Sequence, residues 1–172
     1  MGLINEITDV LKQYSGGSAQ VPSNVNEHFD QVAQTAPAGS IADGIAAAFR
    51  SDQTPPFGQM VSSLFGQSSG EQKAAMVNQL VASVGPSVLS QLAGGGALAG
   101  ILGAGAGAIT PAQAQSISPD TIQQLATHAE KADPSIVDKA SSFYAQHPTL
   151  VKTLGGAALS IALAKVAQRQ AT

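Results

Sequence analysis

Three histidines, His28, His128 and His147, are the side chains of this sequence best suited to ligate a metal or move a proton near neutral pH. Two of them stand in the tripeptides HFD and HAE, with a carboxylate two residues on. Residues i and i+2 do not share a helix face, so neither pair presents two ligands to one ion as an i, i+4 pair would. No metal site is expected. His28 and His128 read as solvated helix residues, and His147, directly before Pro148, as a helix cap.

The other groups with chemical potential are equally dispersed. Eleven carboxylates are present, but no spacing forces two of them into one cleft with opposed proton affinities. Asp120, Glu130, Asp133 and Asp138 read as solvated faces and as charges at helix N-termini, where they favour the helix dipole. Serine is common, yet no G-x-S-x-G elbow occurs and no strand precedes one. Cysteine is absent, which removes thiol nucleophiles, thiolate metal sites and disulfides together. The run GGGALAG has no P-loop lysine, the next basic residue being Lys131, and no strand before it. The expectation is a protein that is not an enzyme, with no catalytic residues, no cofactor and no metal.

Nor does the charge pattern favour nucleic acid. The net charge is −3, and the eight Lys and Arg are scattered singly, leaving no basic stripe for phosphates. Only 11% of residues are charged, against about 25% in an ordinary domain. With five Phe, two Tyr and no Trp, the core must be built of small side chains.

The elements that carry these residues read as an all-α multi-helix bundle of short helices, joined through a Gly/Ala-rich central connection. Residues 1–15 form an amphipathic helix with Leu3, Ile4, Ile7, Val10, Leu11 and Tyr14 at three- and four-residue steps. It reads as exposed, and as able to dock on its own core or on a neighbouring molecule. Glu6 and Asp9 do not suit a signal peptide, so a cytoplasmic location is expected. Residues 16–22 read as a flexible linker.

An N-terminal helical half spans residues 23–93. Helix starts are expected at Ser23, at Ser40 with Asp43, at Thr54 with Pro55, and at Ser69 with Gln72, and stops at Gly66 and Gly85. The third of these helices carries Phe57, Met60, Val61, Leu64 and Phe65. That stripe suits a core, or a partner's groove. The C-terminal helical unit, residues 110–172, repeats a polar residue followed by proline at Ser118-Pro119, Asp133-Pro134 and His147-Pro148, each predicting a helix start; the last helix is expected to run from Pro148 to Gln168.

Between the halves lies the connection of residues 94–109, inside an uncharged interval of 46 residues from Ala74 to Pro119. A membrane span can be drawn from Leu89 to Ile109, and Gly96 with Gly100, and Gly103 with Gly107, have the spacing that lets helices approach in lipid. Seven glycines in residues 91–111 and the lack of basic or aromatic anchors oppose it. A hinge or close-packing segment at Gly94, Gly95, Gly96, Gly100, Gly103 and Gly107 is the simpler reading. The functional expectation is a helical interaction or self-assembling scaffold whose partner is itself, as a homo-oligomer, or another protein. Candidate contacts are Leu3, Ile7, Leu11, Phe57, Met60, Leu64 and Phe65; membrane association is the alternative.

Overall fold

The computed structural model describes residues 2–15, 22–93 and 108–170, and within them the side chains of residues 5–14, 22–85 and 108–169. The candidate hinge glycines Gly94, Gly95, Gly96, Gly100, Gly103 and Gly107, and the side chain of Leu3, lie outside the described residues. Among the described residues there are ten α-helices, one 3-10 turn and no strand, an all-α bundle of short helices.

Side-chain caps set several of the helix starts. Thr110 Oγ1 accepts the Gln113 N–H at 3.3 Å and Gln113 Oε1 accepts the Thr110 N–H at 3.0 Å, a closed capping box ahead of α6 (Pro111–Gln115). Ser69 and Gln72 make the same box at the start of α5 (Gly70–Ala93). Ser118 caps α7 (Pro119–Ala132) by accepting the Thr121 N–H. Asp133 accepts from the hydroxyl and the N–H of Ser135 and so turns the chain from α7 into α8 (Ile136–Ala145). The Ser135 hydroxyl bond, with Lys139 beside it, holds the Asp133 carboxyl below its ordinary range.

Elsewhere the expected caps have other work. α2 (Val25–Thr35) follows α1 (Gly2–Ser15) and opens at Asn24 rather than Ser23; the Asn24 amide goes to His28 instead of the backbone. α3 (Ala38–Phe49) opens behind extended Pro37, two residues before Ser40. Thr54 closes α3 instead of opening α4 (Phe57–Gln67): its hydroxyl donates to the carbonyls of Ala48 and Ser51, while Pro56 precedes α4. Gly66 lies within α4 and does not stop it. The single last helix is interrupted, giving α9 (Pro148–Val151), a 3-10 turn over residues 152–154, and α10 (Gly156–Gln170). The break is at Gly155, whose φ of 96° is open to glycine at little steric cost. Gly85, with φ 77° and ψ 166°, interrupts the helical path inside α5, where a stop is expected, and a second helical stretch follows it.

The chain folds as two compact units, residues 1–55 with 141–172, and residues 56–140. In the first, α10 is the central helix, packed on α3, α1 and α2. Ile41, Ile45 and Phe49 of α3, Phe29 and Val32 of α2, and Leu159, Leu163 and Val166 of α10 are buried there. The N-terminal helix expected to be exposed is docked: α1 packs on α10 and α2, with Leu11 and Tyr14 buried. The reason is its own apolar stripe, which finds an apolar helix within the same unit. Two ion pairs tie early helices to late ones, Asp30 with Lys152 at 2.9 Å and Asp43 with Arg169.

The second unit sets α4 against α7, and α5 against α6 and α7. Its core holds Phe57, Met60, Val61, Leu64 and Phe65 from α4, Met76, Val77 and Leu80 from α5, and Ile122 and Leu125 from α7. Asn78 of α5 clamps Ile109, accepting its N–H at 2.9 Å and donating to its carbonyl at 3.3 Å.

Both units bring helix backbones into near contact through a glycine. A Cβ built on Gly44 of α3 would stand 2.6 Å from the carbonyl oxygen of Ala162 in α10, and one on Gly58 of α4 would stand 2.7 Å from that of Gln123 in α7. These are backbone atoms, which cannot step aside as a flexible side chain does. Gly44→Val is therefore expected to destabilise the protein by about 1–3 kcal/mol through overpacking. Gly66→Ala, at an exposed position in the last turn of α4 with nothing within 4 Å of the new carbon, is expected to stabilise it by about 0.5 kcal/mol. Urea denaturation of the two variants beside the parent checks both signs.

Candidate functional site

Among the described residues, titratable and polar side chains meet in the interior where α1 joins α2. The hydroxyl of Tyr14 lies 2.9 Å from His28 Nδ1, and the ring centroids are 5.9 Å apart, edge to face. One helical turn before His28, Asn24 places its amide nitrogen 2.9 Å from His28 Nε2. An amide nitrogen only donates, so Nε2 accepts, the ring proton sits on Nδ1, and that N–H donates to the Tyr14 oxygen. His28 is only 8% exposed, which corrects the expectation of a solvated residue. With both nitrogens engaged inside the protein, this histidine orders two helices and has no free nitrogen for a metal or a substrate proton. Burial raises the pKa of Tyr14.

The spacing of Asn24 and His28, four residues apart, was open to inspection in the sequence, since i and i+4 share a helix face. The Tyr14 contact, fourteen residues away on another helix, had no local signal.

A second aromatic group lies around Tyr144, which is fully buried and whose hydroxyl has no hydrogen-bond partner among the described residues. Phe49 and Phe143 pack edge-on against it, with ring centroids at 6.3 and 5.2 Å. Burial pushes its pKa well above the ordinary phenol value. His147 does not cap α9 with its side chain: its ring lies against Phe143 at 4.9 Å between centroids, and its backbone carbonyl accepts the Leu150 N–H.

His128 is exposed and lines an open groove on α7 with Asp120, Gln123, Gln124 and Thr127. Eight residues of helix separate Asp120 from His128, about 12 Å of rise, too far for a direct proton relay between them. No cluster of three or more His, Asp or Glu suited to a metal occurs among the described residues.

The candidate interaction residues divide. Phe57, Met60, Leu64 and Phe65 are buried within the second unit, which gives them to its core rather than to a partner's groove. Leu11 is buried under α1, and Ile7 is half-buried. No helix among the described residues is long and apolar enough to cross a membrane. Ile109, at the end of the span drawn from Leu89, is buried with both backbone groups held by Asn78.

The two tyrosines carry opposite expectations. Tyr14→Phe strips the acceptor from a buried imidazole N–H and is expected to lower stability by about 1–3 kcal/mol. Tyr144→Phe removes an unsatisfied hydroxyl and is expected to raise it by about 1 kcal/mol. Both phenols are raised above 10.0 in the fold, so the folded state keeps protons that the unfolded chain releases above pH 10. Stability is then unaffected by these groups below that pH and falls as the pH climbs past it. Urea denaturation repeated from roughly pH 9 to 11 is expected to show that fall, and to show it reduced most in Tyr144→Phe, whose phenol is the more strongly shifted.

Compared with protein-family models, with curated proteins and with solved structures, the chain has no match.

Proposed function

We propose that this chain is a non-catalytic helical protein that acts in the cytoplasm by associating with itself or with another protein. The observation that carries the reading is the uncharged interval from Ala74 to Pro119. Its described part includes an exposed surface at Ala108, Pro111, Ala112, Gln115 and Ser116, all small or neutral. A surface without charge has no repulsion to hold identical copies apart, and burying it leaves no ion unpaired. The histidine with the best chemistry is bonded on both nitrogens, which agrees with a binding role. Lipid docking through the same interval is a second reading, favoured by the G-x-x-x-G spacings at Gly96 and Gly103.

Size-exclusion chromatography with light scattering tests the first reading directly. An oligomer is expected, and Ala112→Glu is expected to weaken it by about tenfold by setting like charges across a symmetric contact. The acid sits in the first turn of α6, where the helix dipole favours it, so folding is spared. A monomer at every concentration, with no captured protein partner, overturns the reading; flotation with neutral phosphatidylcholine vesicles would move the balance to lipid.

A further inference from the structure

We draw no further inference here: the strongest candidate, the open groove along α7 lined by Asp120, Gln123, Gln124, Thr127 and His128, is a solvated face of one helix with, among the described residues, no buried unpartnered polar side chain aimed into it, and nothing in the structure shows what covers it.

Discussion

The approach of α3 to α10 at Gly44 is the constraint on which the first unit depends. Helices crossing through ordinary side chains stand about 8–10 Å apart, and a glycine facing an alanine lets them come to the near end of that range. Ala46 and Ala48 of α3 and Ala158 and Ala162 of α10 are buried, so a sequence with no tryptophan and few aromatics still fills its interior with small side chains. Leucine or isoleucine in place of the small residues would not give a larger core but a separated pair. The crossing also joins residues 118 positions apart, Gly44 and Ala162, so the unit closes only after most of the chain is available. Contacts of such separation slow folding, because loop closure must precede the packing that rewards it.

Close packing of small residues leaves little room for buried polar groups, and those present are used unevenly. The Tyr14–His28–Asn24 set and the Asn78 clamp on Ile109 are satisfied and fix register: one sets α1 against α2, the other fixes where the chain returns to α5 after the glycine-rich interval. Tyr144 Oη, Gln79 Oε1 and Ser160 Oγ are buried without a partner among the described residues. An unsatisfied buried hydroxyl carries its full desolvation penalty, so these three sites hold free energy that simple substitutions recover.

Much of the local structure was legible in the sequence, and for a physical reason. Ser69 with Gln72, Thr110 with Pro111, and Ser118 with Pro119 are caps whose partners lie three residues away, so the pattern and the bond are in the same window. The stripe from Phe57 to Phe65 was likewise legible as one face, and it is buried as one. Two expected caps failed because the side chain found a partner other than its own helix: Thr54 turns back to α3, and the ring of His147 lies on Phe143. A cap-forming residue has several acceptors and donors in reach, and the sequence does not rank them. The pairings that built the polar site and the first unit, Tyr14 with His28 and α3 with α10, are long-range and leave no trace in periodicity.

The distribution of charge separates the two units more sharply than any motif. The first unit pairs acids with bases across distant helices, Asp30 with Lys152 and Asp43 with Arg169, while in the second every charged residue falls within 71–73 or 120–139. Partly exposed pairs of this kind contribute about 0–1 kcal/mol each, so they do not hold the first unit together; packing at Gly44 does. Their effect is on its surface, which stays hydrated and specific in what it repels. The second unit has no charged side chain from Ala74 to Pro119, and the polar side chains of that interval are those of serine, threonine, glutamine and asparagine. Neutral polar groups exchange water for a protein partner at far lower penalty than ions do, so the surface that is least protected from association is also the one that loses least by it.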